Sequence, residues 1–137
     1  MFSTVPRLLD FARTGSDAIG YLTVAQCSGL PFAIQRVYWT YQVPPDTIRG
    51  GHAHHALEQM IFAVHGQIRF SLEGIKGDKH EFELSQPDQG LYVPHLYWRD
   101  ITFSDQAVLM CLASEEYTEA DYIREYSDFK NLQHAHS

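Results

Sequence analysis

Basic residues are scarce in this chain. Ten lysines and arginines stand against seventeen acids over 137 residues, a formal net charge of −7. A general nucleic-acid binder needs a basic face, so that class is set aside; one or two local arginines would still suffice to hold a diphosphate. Cysteine is nearly absent. Cys27 and Cys111 stand in apolar stretches and no CxxC occurs, which favours two buried free thiols over a disulfide or a catalytic pair. No apolar run approaches the ~20 residues that span a bilayer, and Met1 to Asp10 lack the apolar core and cleavage site of a secretory signal. A cytoplasmic protein without membrane contact is the expectation. Internal repeats, low-complexity tracts and linkers are missing too. At 45% hydrophobic and 13% aromatic, the chain has enough apolar surface for a packed core, and its length fits one domain over 1–137.

What is present is a rhythm of short β-like runs broken by turn residues. Strands are predicted at Tyr21–Ala25, Phe32–Tyr41, Glu58–Val64, Gln67–Leu72, Lys79–Leu84, Gly90–Val93, Arg99–Phe103 and Ala107–Ala113. The breaks carry Pro44-Pro45-Asp46, Arg49-Gly50-Gly51, Gly66, Gly77-Asp78 and Pro87-Asp88. In Gln67–Leu72 the apolar side chains Ile68, Phe70 and Leu72 take alternate positions, which is one face of a strand. Many short strands with frequent turns point to an all-β sandwich or barrel. The stretch from Glu115 to Leu132 reads as a loop leading into a short C-terminal helix, with Gln133 to Ser137 fraying.

The densest polar cluster is Arg49-Gly50-Gly51-His52-Ala53-His54-His55. If extended, it puts His52 and His54 on one face, a pattern suited to proton transfer or metal binding. The spacing His52-x-His54, then Gln59, then Gly66 resembles the first motif of the cupins, and Gly90-Leu-Tyr-Val-Pro94 followed by Trp98-Arg99 resembles the second. The resemblance implies a double-stranded β-helix. Its metal-binding members use a glutamate where this chain has Gln59 and a histidine where it has Arg99. A neutral amide is a poor ligand and a guanidinium is none, so no metal and no other cofactor is expected.

A narrower resemblance follows from Arg36-Val37-Tyr38, Arg49-Gly50-Gly51-His52-Ala53-His54, Tyr92-Val93-Pro94, Trp98-Arg99 and Asp121-Tyr122-Ile123-Arg124. Together these are similar to the dTDP-4-keto-6-deoxyglucose 3,4-ketoisomerases. That family implies a dTDP-linked keto-deoxysugar as substrate, an acid–base isomerisation through an enediol(ate), a homodimer, and a place in deoxysugar or O-antigen lipopolysaccharide synthesis. It places the base at His52, with His54 as partner and Tyr38 as proton shuttle. Arg36, Arg49, Gln59, Trp98 and Arg99 become substrate-binding candidates. Arg49 serves either the diphosphate or the enediolate; Trp98 either stacks on thymine or closes the barrel; Arg99 either binds phosphate or pairs with Asp100 or Glu58. Three rivals stay open: a metal-dependent cupin (a dioxygenase or an isomerase), a nucleotide-sugar 3,5-epimerase, and a non-catalytic sugar-binding cupin.

Overall fold

The structure, a computed structural model, describes residues 5–136. Twelve strands and one helix follow in order: β1 Arg7–Asp10, β2 Arg13–Ser16, β3 Gly20–Thr23, β4 Arg36–Thr40, β5 Arg49–His54, β6 Gln59–His65, β7 Ile68–Gly74, β8 Lys79–Leu84, β9 Gln89–Val93, β10 Tyr97–Phe103, β11 Val108–Ala113, β12 Tyr122–Ile123 and α1 Tyr126–His136. They form two five-stranded sheets, β1-β9-β6-β11-β4 and β12-β5-β10-β7-β8, and a separate β2–β3 hairpin. From β4 onward the chain passes back and forth between the two sheets, and the pairings within each are antiparallel. This is the double-stranded β-helix expected from the motifs.

The alternation seen in the sequence fills the space between the sheets. Ile68, Phe70 and Leu72 of β7 meet Ile61, Leu91, Val93, Leu109 and Cys111 from the opposite sheet. Gly66 turns β6 into β7 at φ 77° and packs so closely on Ala107 that a Cβ would lie 2.8 Å from it, which only glycine permits. The outer face of the first sheet is covered by a second apolar cluster. There Met60, Phe62, Tyr92 and Leu112 receive Leu30, Phe32 and Ile34. This is why the strand predicted from Phe32 begins only at Arg36: Phe32 and Ile34 cover the sheet rather than joining its ladder.

Other boundaries also depart from the sequence reading. β1, β2 and β12 lie outside the predicted strands, because each is short and carries little alternation, and β5 is a strand where the sequence allows an extended segment only conditionally, because its glycines read as a turn. The tail is an eleven-residue helix that reaches His136 rather than fraying from Gln133, held by Phe129 against Ala53 and Ile123 and by Gln133 donating to Glu73 and to the Gly74 carbonyl. Ser137 lies outside the described residues. Cys111 is buried as expected, but Cys27 is exposed; both are free.

Candidate active site

The histidine cluster forms β5, where glycine fixes its geometry. Gly50 and Gly51 both adopt positive φ, 90° and 65°, and the β5–β10 register shifts between Arg99 and Asp100. A Cβ on Gly50 would sit 2.7 Å from the Arg99 carbonyl oxygen, so the close approach of the two strands requires glycine. The bulge turns the Gly50 carbonyl toward His52, whose Nδ1–H donates to it at 3.1 Å. That bond leaves the lone pair of the neutral ring on Nε2.

His52 lies on the wall of a cavity of about 220 Å³ between β4 and the β5–β10 pair, shared with Arg36, Tyr38, Arg49, Arg99 and Tyr122. Among the described residues no carboxylate lines it, and its apolar floor is Ile61, Ile101, Phe103 and Leu109. Three arginines thus converge on one pocket in a chain of net charge −7. A larger groove of about 540 Å³ lies along the outside of β7, β8 and β10. Its titratable side chains are Arg69, Glu81, Glu83 and Asp100, with Glu83 engaged by Arg69 at 3.2 Å; it holds no histidine, whereas the inner cavity brings a histidine, a phenol and three guanidiniums together.

Behind the wall stands a buried polar layer. Arg99 is 2% exposed and donates to the Gln59 amide oxygen and, at 3.1 Å, to the Tyr97 carbonyl. Gln59 in turn donates from Nε2 to the Tyr38 hydroxyl oxygen at 2.9 Å and contacts Cys111 Sγ at 3.4 Å. Tyr38 thus accepts from Gln59 and is also hydrogen-bonded to the buried Cys111 thiol. Among the described residues two buried donors have no protein partner, Nε of Arg36 and Nε of Arg99. Such orphans are rare, and here both belong to cavity-lining side chains.

Electrostatics follow from this burial. Desolvation first, and then the Arg99 guanidinium, hold the His52 imidazole down to about 4. The same causes, with His52 itself, push His54 well below the usual imidazole range. Burial drives the Tyr38 phenol far up, so it acts as a donor, not as a tyrosinate, and raises the Cys111 thiol to about 11. Burial also works against the charge on Arg99.

The predicted site residues therefore divide. Arg36, Tyr38, Arg49, His52 and Arg99 meet at the cavity, while Gln59 and His54 stand behind it. Trp98 does not join them. On β10, Tyr97 and Arg99 face inward, so strand alternation turns Trp98 outward, where its ring packs 5.9 Å from Phe129 and 5.2 Å from Tyr126. Arg99 pairs with neither Asp100 nor Glu58, since Asp100 points outward and Glu58 accepts from the Tyr92 hydroxyl on the far face of the first sheet. Two residues were missed. Tyr122 lines the cavity, and the buried Asp121 lies 3.0 Å from His54 Nδ1. Both stand in the Asp121-Tyr122-Ile123-Arg124 run, which carries the family resemblance but by itself gives neither residue a role. Among the described residues no three His, Cys, Asp or Glu side chains are grouped to hold a metal ion.

Comparison with known proteins gives a consistent picture. The family model described as FdtA: WxcM-like, C-terminal matches residues 4–134. The TDP-4-oxo-6-deoxy-alpha-D-glucose-3,4-oxoisomerase of Aneurinibacillus thermoaerophilus is 34% identical over 125 residues, covering 90% of this chain and 89% of its own. Among solved structures, a sugar 3,4-ketoisomerase from Thermoanaerobacterium thermosaccharolyticum in complex with TDP superposes with a TM-score of 0.89 at 33% identity, over 96% of each chain. A 3,4-ketoisomerase from Helicobacter canadensis gives 0.87 at 32% identity, over 94% of this chain and 97% of its own.

Proposed function

The chain belongs to the WxcM-like, FdtA-type family of sugar 3,4-ketoisomerases, and from that premise we propose how its residues carry the reaction. It is an isomerase of deoxysugar biosynthesis that moves a carbonyl between C4 and C3 of a TDP-linked 4-keto-6-deoxyhexose. One observation supports the assignment of roles most directly: an imidazole whose Nδ1–H is engaged by the Gly50 carbonyl, a phenol and three arginines line one cavity.

His52 Nε2 takes the proton from C3, which the adjacent ketone acidifies. The C3–H electron pair forms the C3–C4 double bond, and the ketone electrons move onto O4. The negative charge that develops there meets the Arg99 guanidinium, whose Nε has a vacant donor, in a site where burial strengthens the attraction. The proton on O3 then passes to O4 by way of Tyr38, the His52 imidazolium returns its proton, or a solvent proton exchanged with it, to C4, and the carbonyl stands at C3 with His52 neutral again. No electrons enter or leave, so the step balances without a redox partner. Arg36 and Arg49 supply the charge for the diphosphate, using the planar fork suited to phosphate oxygens. His54 supports His52, and Gln59 orients Tyr38 and Arg99 without reaching the cavity wall.

Further features of the reading are homodimerisation, a cytoplasmic location and delivery of the product toward O-antigen lipopolysaccharide. β4 is an edge strand whose outward Val37, Trp39 and the following Tyr41 are exposed, and the β2–β3 hairpin exposes Ile19 and Leu22. An uncovered apolar edge of this kind invites pairing with a second copy. Both cysteines are free, as suits a reducing compartment. Among the described residues no helix is long and apolar enough to cross a membrane. The whole acts as a single cupin domain.

The deciding experiment is incubation with dTDP-4-keto-6-deoxyglucose in deuterated buffer, followed by NMR. The carbonyl signal should move from C4 to C3 with deuterium entering the ring at the exchanged carbons. Inversion at C3 or C5 with the ketone still at C4 would instead identify an epimerase. Sensitivity to chelators, restored by one divalent metal, would overturn the metal-free chemistry.

A further inference from the structure

Two histidines share one face of β5, yet only one reaches the cavity. His54 is 1% exposed, and its ring is wedged edge-on between His52, at 4.9 Å between centroids, and Tyr122, at 4.4 Å. On its other side stands Asp121, itself buried. The Asp121 carboxylate is fully engaged. Its Oδ1 accepts the Ala56 N–H at 2.8 Å, and its Oδ2 accepts the Leu57 N–H at 3.4 Å and lies 3.0 Å from His54 Nδ1. Its backbone carbonyl also accepts the His55 N–H at 2.9 Å. The chain after β11 therefore returns to the second sheet to place one carboxylate against one imidazole, and clamps the loop after β5 at the same point.

A carboxylate only accepts, so His54 must carry a proton on Nδ1 to make this bond, and a neutral ring then holds its lone pair on Nε2, the nitrogen turned away from Asp121. The flanking rings of His52 and Tyr122 prevent the imidazole from turning over.

We propose that Asp121 is a positioning residue for the isomerisation: it fixes His54 as the Nδ1–H tautomer and, through the edge-on contact of the two rings, sets the ring of His52. Both histidines then have the same tautomer by different means, His52 through the Gly50 carbonyl and His54 through Asp121. This rests on reading the site as one of proton transfer.

Asp121→Asn tests it with little change in shape. The Ala56 N–H holds the amide oxygen at the Oδ1 position, which turns the NH2 toward His54 Nδ1. A donor facing that nitrogen forces the proton onto Nε2, so the tautomer inverts and the ring that backs His52 changes its charge distribution. The expected result is a fall in kcat of roughly 10- to 100-fold, as for a misplaced catalytic group, with KM for the TDP-sugar and affinity for TDP unchanged. Long-range ¹H–¹⁵N spectra should show His54 as Nδ1–H in the unaltered protein and Nε2–H in the variant. In a His54→Gln background, Asp121→Asn should cause no further loss of kcat, because the two act as a unit. The proposal is overturned if His54 in the unaltered protein proves to be the Nε2–H form or charged at neutral pH, a measurement that stands even if the variant fails to fold. It is equally overturned if the tautomer inverts while kcat stays within twofold, or if the two losses multiply. Absence of isomerase activity in the unaltered protein would instead defeat the parent reading.

Discussion

Two halves of the same interior follow one rule and reach opposite contents. Beneath β7, β8 and β9 the inward side chains are Ile68, Phe70, Leu72, Leu84 and Leu91, all buried and all apolar. Beneath β4, β5 and β10 the inward positions hold Tyr38, His52, His54 and Arg99, with Gln59 and Asp121 beside them. Alternation dictates which residues point in; it does not dictate what they are. The first half is held by removal of apolar area from water, at about 25 cal/mol per Å². The second half pays desolvation and recovers it only because nearly every polar group finds a partner, and such networks add little net stability. A sandwich needs only the first kind of filling to fold, so the second kind is there for chemistry.

The contrast breaks if a member of the polar half proves as important to stability as one of the apolar half. His52→Asn should lower kcat by about 10²–10⁴-fold, the usual contribution of a general acid or base, and leave TDP affinity and melting temperature close to those of the unaltered protein. Kinetics, titration calorimetry and a thermal melt on one preparation decide it; a near-normal rate would move the base to Tyr38 or His54. Phe70→Ala does the reverse. Loss of a buried aromatic ring should remove about 3–5 kcal/mol of stability by chemical denaturation, while the molecules that remain folded keep their kcat. A kcat that collapsed together with stability would mean the two halves are not separable.

The apolar half was legible in the sequence because its signal is periodic. Ile68, Phe70 and Leu72 announce both a strand and its buried face, and the turns at Gly66 and Gly77 bound it. The cavity was partly legible, since His52 and His54 lie two apart and Gln59 and Arg99 occupy motif positions. What the sequence did not carry is the pairing of distant segments. Asp121 meets His54 across 67 positions, and nothing local in Asp121-Tyr122 distinguishes a carboxylate that reaches into a site from one that caps a tail. Nor did the motif tell which face Trp98 takes; its neighbour Arg99 did, once Arg99 was seen to point inward.

Trp98 sharpens the comparison from the outside. Its ring packs on Phe129 and Tyr126 on the face away from the cavity. Trp98→Ala should loosen the helix α1 and lower stability by about 1–3 kcal/mol, with TDP affinity within twofold. A large loss of TDP affinity by calorimetry would put the indole back in the binding site.

The smallest effect is expected from pH, and its smallness is informative. The proposed base, His52, can accept a proton only when neutral. An imidazole at the ordinary value of about 6.5 would be roughly one-quarter neutral at pH 6 and nearly all neutral at pH 8, giving about a fourfold rise in rate across that range. Burial and Arg99 hold His52 to about 4. It is therefore already neutral throughout, so kcat/KM should change by less than about twofold between pH 6 and 8, and the acid limb should appear only as pH approaches that lower value. The sign follows from the charge of the neighbour: a guanidinium beside an imidazole opposes its protonation and never favours it. Removing that charge should therefore move the limb upward. Arg99→Gln, assayed across the same range, should move the acid limb upward but leave it below the ordinary imidazole value, because burial, the larger cause, remains. A limb that stays in place after the substitution would leave burial alone as the cause of the depression, and would detach Arg99 from the electrostatics of the base.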